Sequence, residues 1–382
     1  MLKRIYLAVE AFILGFKKKK DIIFVVRNKL MLTYARAIYE ILEEDDRLRL
    51  WICLYKPCDA DDEEIKALKK RNNPRCISYN LARFFRWDLI IFPDHKPTFR
   101  ADCQKIYVDH ALCSGRTVDG DVYEYGNRAR DRSGNVIYNK IFVASHFVAD
   151  GIKKHYPEVY PYIRVVGNLF IDKVIDTNNG KPGTFKASNF NHNRMTIVIA
   201  SSWRNISLIH NIGLELIEKL PGLAKQYNII ITIHYHNYYF RYPECMDWKD
   251  ILGKINIENV CVIEPGTEPY HYLAQADLLI MDMTSLGLYF PVCGKPIIFW
   301  DNIDVKYVPV NLIDELRKAA YVVNDISSLD SIIDNALSDF DEEKMKILSN
   351  KISSYQGESE KRIKNEIYQS IHLESTEDIN SH

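Results

Sequence analysis

Residues 277–301 read DLLIMDMTSLGLYFPVCGKPIIFWD, and the fold turns on how this stretch is parsed. Leu278 to Met281 is a short apolar strand. Asp282, Thr284 and Ser285 form a polar turn, an apolar helix follows, and Gly294-Lys295-Pro296 leads into a second strand, Ile297 to Trp300. Strand, turn, helix and strand within about 25 residues predict a βαβ unit, and so a parallel sheet. Ligands of open parallel sheets bind at the carboxyl ends of the strands, where Asp282, Thr284 and Ser285 fall. Two hydroxyls at a helix start suit a phosphate, because the free backbone N–H groups and the helix dipole favour an anion there. The same residues are also the usual N-caps, so local chemistry alone leaves both readings open.

Outward from this unit the alternation of strands and helices continues. Upstream, Thr196 to Ala200, Ile229 to Ile233 and Val260 to Ile263 read as strands. A helix is predicted over residues 206–225 and a shorter one over 270–275. Before them, residues 173–195 (KVIDTNNGKPGTFKASNFNHNRM) are polar and rich in Asn, Gly and Lys, and read as a linker. A first domain precedes it. Its predicted strands are residues 22–26, 49–55, 76–80, 87–92, 105–108, 140–144 and 163–166. Its predicted helices are residues 31–44, a charged helix over 59–71, and one capped by Ser145-His146 that runs to Tyr156. A helical region over residues 327–370 ends the fold and is expected to cross back over the first domain; the tail LESTEDINSH reads as disordered. The predicted domains are thus 21–172 and 196–350, with the linker 173–195 between them and a C-terminal helix and tail over 351–382. The fold class is α/β, two Rossmann-like domains facing a cleft in the GT-B arrangement.

Composition sets bounds. A chain of 382 residues is long for one core and predicts two domains. Its 47% apolar and 26% charged residues are those of a folded globular protein, and a net charge of −1 gives no reason to expect nucleic-acid binding. The 24 Tyr and 16 Phe suit sugar or polymer contacts, although Tyr is also simply a good strand residue. The eight cysteines are scattered without a CxxC pair and read as reduced, mostly buried thiols of a cytosolic protein. The first segment, residues 1–20, pairs an apolar run from Ile5 to Phe16 with Lys17 to Lys20. It is too short to span a bilayer, which takes about 20 residues. It suits either a helix lying on an anionic membrane surface or one packed on the domain.

Four places carry candidate chemistry. His110 ends the apolar strand KIYVDH before a loop, where a histidine is a general base near neutral pH or a structural ring bonded to Asp109. His234 and His236, in IIITIHYHNYY, are two apart; on a strand they would share a face and both enter the cleft. Core histidines or a metal pair are the alternatives, with no third ligand evident. Arg204, in IVIASSWRN, follows a strand and suits bidentate phosphate contact or a solvated strand end. Gly167, in VVGNLFID, either joins a phosphate loop or supplies a turn with positive φ.

In this order the residues resemble the CDP-glycerol glycerophosphotransferase family, the teichoic acid and capsule-polymer primases and polymerases. Asp277, Asp282-Met283-Thr284-Ser285, Lys295-Pro296 and Asp301 follow the family pattern, with Met283 for the usual Tyr and Thr284 for the first Ser. The family's second acidic position has no match. Ala200, Ser202, Trp203 and Arg204 fit a second motif, with Ser201 for Pro. His236 fits a third, with Asn237 for Pro, and His110 a fourth, with Ala111 for Gly. Gly167 and Asp172 are retained where Leu169 and Phe170 replace Pro and Arg. The resemblance implies transfer of a phospho-alditol such as glycerol phosphate from a CDP-linked donor to a hydroxyl of a cell-surface polymer or its lipid-linked glycan precursor. In that reading His110 and His236 are catalytic, and Arg204, Asp282, Thr284, Ser285, His234, Gly167 and Asp301 bind substrate. It also places the protein in the cytoplasm, peripheral at the inner face of the cell membrane. No metal site is assigned. Asp59-Ala60-Asp61-Asp62 has DxD spacing but starts a charged helix, so Mg is compatible with the chemistry without being indicated by it. Two alternatives remain: a GT-B glycosyltransferase using a nucleotide sugar for capsule or lipopolysaccharide, and a non-catalytic relative that binds nucleotide or glycan.

Overall fold

The computed structural model describes residues 18–27, 29–55, 75–93, 98–109, 112, 116–118, 121–122, 129–131, 133–180, 185, 187, 189–239, 245–301, 306–307 and 311–374. The segments 1–17 and 59–71, the tail from residue 375, and residues Asp59-Ala60-Asp61-Asp62, His110 and Ala111, singled out above, lie outside them, as do Cys58 and Cys113.

Runs of Ile, Val, Leu and Phe make the strands. In chain order these are β1 (Lys20–Val26), β2 (Leu48–Leu54), β3 (Arg75–Ser78), β4 (Leu89–Phe92), β5 (Gln104–Val108), β6 (Arg116–Val118), β7 (Asp121–Val122), β8 (Lys140–Val143) and β9 (Ile163–Val165). They continue with β10 (Thr196–Ser201), β11 (Asn228–Ile233), β12 (Val260–Ile263), β13 (Leu278–Met281), β14 (Ile297–Trp300), β15 (Lys306–Tyr307) and β16 (Tyr321–Val323). The first sheet has the order β3-β2-β1-β4-β5-β8-β9 and the second β12-β11-β10-β13-β14-β16; β15, β6 and β7 form a small antiparallel sheet. Renumbered from its first strand, the second sheet runs 3-2-1-4-5-6, the doubly wound Rossmann order, and the first sheet shares the 3-2-1-4-5 portion. The strands of the second sheet pair in parallel throughout. Every residue of β10, β11, β13 and β14 is buried, as expected for parallel strands covered on both faces.

The principal helices are α1 (Lys29–Glu40), α2 (His146–His155), α3 (Leu169–Asn178), α4 (Leu208–Leu223), α5 (Leu312–Ala319), α6 (Leu329–Ser338), α7 (Glu342–Ile352) and α8 (Ser359–Ser370). The Oγ of Ser145 accepts the Val148 N–H and starts α2, and the Oγ of Ser207 accepts the His210 N–H and starts α4. Residues 173–178, expected to open a linker, instead continue α3. Asn168 caps that helix, and Phe170, Ile171 and Val174 are its buried side, so local apolar spacing outweighs the polar composition.

The chain forms two compact units, residues 1–110 with 137–141 and 361–382, and residues 111–136 with 142–360. In the first, Asp21 accepts from the Arg49 guanidinium and the Trp51 indole. The C-terminal helix returns to this unit: Glu366 of α8 pairs with Lys140 at 2.6 Å, and the Arg47 guanidinium lies over the Tyr368 ring. Burial, reinforced by Asp45, pushes the Tyr368 hydroxyl up to about 12. In the second unit, Gly167 has φ +80° and faces the turn before α8. A Cβ there would sit 2.3 Å from the Ser359 Oγ, and Asp172 accepts the Gly357 and Ser359 N–H groups beside it. A tight turn therefore accounts for this glycine. Six described cysteines carry free thiols. Burial pushes that of Cys293 up to about 12.

Gly180 also has positive φ (+96°) but nothing within 4 Å of an added Cβ. Gly180→Ala is expected to cost about 1 kcal/mol from backbone strain alone, and Gly167→Ala about 2–3 kcal/mol because the clash with Ser359 adds to it. Urea unfolding of the two variants checks the ranking, which fails if Gly180→Ala proves the costlier.

Candidate active site

The register pairs Ala200 with Met281, so Ser201 and Asp282 leave adjacent strands side by side. From β10 the chain runs outward through β11 to β12 and then crosses to β13 on the other side, so the ends of β10 and β13 form the topological switch point of this sheet. Asp282 sits there, fully buried. Its carboxyl accepts the Ser201 hydroxyl (2.9 Å) and the N–H groups of Ser202 (2.8 and 2.9 Å), Leu208 (2.6 Å) and Thr284 (3.0 Å). Burial pushes its pKa up, while these donors pull it back. All of these partners donate, so the pocket is shaped for an acceptor. Asp282 thus serves the α4 N-terminus as an internal acceptor: Leu208 donates to it, Ile209 to the Ser201 Oγ, and His210 to the Ser207 Oγ.

This anchoring shapes the loop after β10. Arg204 takes φ +68°, a left-handed conformation that a non-glycine side chain adopts only where its surroundings impose it. Its guanidinium lies 4.4 Å from the Trp203 ring centroid. Trp203 in turn stacks on His234 (5.6 Å, 19° between planes) and meets His236 at 4.8 Å.

The two histidines are not on a strand as expected. β11 ends at Ile233, His234 caps a short helix over Tyr235–Tyr238, and His236 lies within it. The rings still converge, 5.1 Å apart, because the turn folds both onto Trp203. The Nδ1 of His234 accepts the His236 N–H at 3.1 Å, which places the proton of the neutral His234 ring on Nε2. Asn237, standing where the resembled family has Pro, is fully buried. Its amide donates to the Ser202 carbonyl (3.0 Å) and the Ser207 Oγ (3.3 Å), tying the histidine turn to the Trp203-Arg204 loop. Nothing in the local sequence marks Asn237 or Ser201 as anchors, since their partners lie 8 to 81 positions away.

The segment after β13 departs from the predicted helix. Residues 285–289 and 291–293 are 3-10 turns. Gly287 is pressed against Met281, where an added Cβ would lie 2.0 Å from the Sδ, and Gly294 ends the second turn with φ +62°. These turns are too short for a helix dipole to develop, so the phosphate reading loses that contribution, while the half-buried Thr284 and Ser285 stay at the edge. Thr284 caps the first turn, accepting the Leu286 N–H.

The remaining candidates are placed as follows. Asp301 follows β14 at the same edge, but its carboxylate is engaged by the Arg317 guanidinium. Asp277 and Lys295 pair at 3.1 Å at the opposite, amino edge, where Asp277 also accepts the Thr196 N–H. Their pattern positions therefore brace the sheet. Gly167 packs against Ser359, as described. His110 lies outside the described residues. Among the described residues no group of three or more His, Cys, Asp or Glu could hold a metal ion, and no helix is long and apolar enough to cross a membrane.

The structure is similar over nearly its whole length to the wall teichoic acid polymerase TagF soaked with CDPG (TM-score 0.63, 14% identity, 97% of this chain and 96% of that one). Further similar structures are S. aureus MnaA with UDP (0.59, 14%, 93% and 98%) and UDP-GlcNAc 2-epimerase from Neisseria meningitidis bound to UDP-GlcNAc (0.57, 16%, 91% and 100%). The chain has the two-domain, Rossmann-like GT-B fold of these proteins. No family model and no curated protein matches it.

Asp282→Asn would turn an amide N–H toward a ring of donors. We expect it to cost about 2–4 kcal/mol of stability by denaturant unfolding, the range for a buried group left mispaired. A cost below about 1 kcal/mol would mean that the carboxyl is not an acceptor for that ring.

Proposed function

We propose that this protein transfers a phospho-alditol, such as glycerol phosphate, from a CDP-linked donor to a hydroxyl of a cell-envelope polymer or its lipid-linked precursor. The observation that carries this reading is the convergence of Arg204, Trp203, His234 and His236 at the carboxyl edge of β10 and β11, with Thr284 and Ser285 following the adjacent strand β13 at the same edge. One guanidinium, two imidazoles and two hydroxyls suit a diphosphate, and the Trp203 face suits a planar or sugar group. The likeness of fold to TagF, whose structure was soaked with CDPG, agrees with it.

In this reading His110 takes the proton of the acceptor hydroxyl. The acceptor oxygen attacks the β-phosphorus, which carries the alditol. The bond from that phosphorus to the bridging oxygen breaks, and CMP leaves with the electron pair. Arg204 and His236 hold the diphosphate and offset charge building on its oxygens, with Thr284, Ser285 and His234 orienting it. Asp282 acts by holding the loops. Gly167 and Asp301 have structural work and support the site from a distance. A cytoplasmic protein peripheral to the membrane fits a lipid-linked acceptor.

A second reading has its own support, since the MnaA and 2-epimerase structures, with UDP and UDP-GlcNAc, are nearly as similar as TagF. In it the same edge holds a nucleotide sugar and chemistry occurs at a sugar carbon.

A donor panel separates them. Purified protein with CDP-glycerol or CDP-ribitol and an acceptor is expected to release CMP, read by chromatography. His110→Ala should lower the rate about 10²–10⁴-fold. Arg204→Ala should lower kcat/KM about 10²-fold, and Arg204→Lys should recover little of that because a point charge does not replace the planar fork. Release of UDP, or epimerisation of UDP-GlcNAc, would replace this reading with the second.

A further inference from the structure

The connection from β3 to β4 presents an unusual surface. It begins as a short helix over Tyr79–Ala82 and continues in turns, with the Phe84 N–H bonded to the Leu81 carbonyl and the Phe85 N–H to that of Ala82. Leu81, Phe84 and Phe85 therefore share one face at i, i+3 and i+4, and they are 58%, 59% and 50% exposed. The opposite side is anchored: Ala82 and Trp87 are buried, and the Trp87 indole donates to the Ala82 carbonyl at 2.8 Å. The apolar side chains are thus held outward by a fixed base.

Arginines surround this face. Arg83 and Arg86 are exposed between the apolar positions, and the Arg83 guanidinium lies 4.8 Å from the Phe84 ring centroid. Arg100 donates to the Phe84 carbonyl and to Asp102, and Arg86 reaches the same Asp102 at 3.9 Å. Arg75, also exposed, lies over Trp51, whose ring meets Trp87. Arg86 and Arg100 share the Asp102 carboxylate, while the guanidiniums of Arg83 and Arg75 lie over the Phe84 and Trp51 rings. Arg100 and Asp102 stand just ahead of β5 and Arg75 begins β3, so the patch lies toward the amino edge of the first sheet. Whatever covers it leaves the carboxyl edge of that sheet open.

We propose that the Leu81–Arg86 turn is a membrane-docking surface for an anionic lipid bilayer. Aromatic and Leu side chains enter the interface between headgroups and acyl chains, and guanidiniums bind lipid phosphates at the same depth. A protein partner with an acidic rim would match the charge alone. Three side chains raised on one turn and interleaved with arginine fit an interface that is apolar below and anionic above. This inference deepens the proposed lipid-linked acceptor, yet it needs no donor chemistry, so it and the transfer reading fail independently.

The test is flotation of the full chain with vesicles of phosphatidylcholine alone or with one quarter phosphatidylglycerol. Wild-type protein should float with the anionic vesicles and be released by salt. The Leu81→Ala, Phe84→Ala, Phe85→Ala triple variant should partition at least tenfold less while keeping the wild-type circular dichroism and melting temperature. Arg83→Gln with Arg86→Gln should remove the preference for anionic lipid and flatten the salt dependence. The proposal is overturned if wild-type protein does not float, if the triple variant floats like wild type, or if binding is lost only on deleting residues 1–20. It is equally overturned if the triple variant changes the molecular mass in light scattering without changing flotation, since the face would then be a contact between copies.

Discussion

One buried carboxyl organises the second unit. Asp282 closes the end of β13, and its two oxygens gather donors from the end of β10, the first turn of α4 and its own following loop. Parallel sheets leave their strand ends and helix starts with unpaired N–H groups at the carboxyl edge, and here one side chain satisfies several of them. The constraint has a consequence for ligands. The N-terminus of α4 is occupied from within, so in the proposed reading the donor's charge falls to side chains beside it: Arg204, His236, Thr284 and Ser285.

The strained loop depends on this anchor. Ser202 is fixed on both sides, its N–H to Asp282 and its carbonyl to the Asn237 amide. Between Ser202 and the capped start of α4 the chain must turn sharply, and Arg204 takes positive φ as a result. The turn brings the guanidinium over Trp203 and Trp203 over the histidines. A backbone conformation of this kind costs about 1–3 kcal/mol and persists only where neighbours over-determine it, as two buried polar side chains do here.

The same pattern of residues divides between two edges of the sheet. Asp277 and Lys295 pair at the amino edge and hold the starts of β13 and β14 together. Asp282, Thr284, Ser285 and Asp301 sit at the carboxyl edge, and of these Asp301 is already engaged by Arg317. The lesson repeats at Gly167 and Asp172, which shape the turn before α8.

The strands were legible from the chain itself. Leu278–Met281 and Ile297–Trp300 lie where the apolar runs place them, because strands buried on both faces of a parallel sheet must be apolar throughout. The Ser145 cap, the strand-end position of Arg204 and the pairing of β13 with β14 were equally readable from local signals. Other features needed the fold. The helix predicted after Ser285 is two 3-10 turns because Gly287 packs on Met281. His234 and His236 converge from a turn and not from a strand face. Apart from Thr284, Asp282 takes its partners from residues 74 to 81 positions away. Hydrophobic periodicity and capping are short-range, so a sequence shows them directly. Which carboxyl meets which N–H across a sheet edge depends on strand order and register, and those exist only once the sheet has formed.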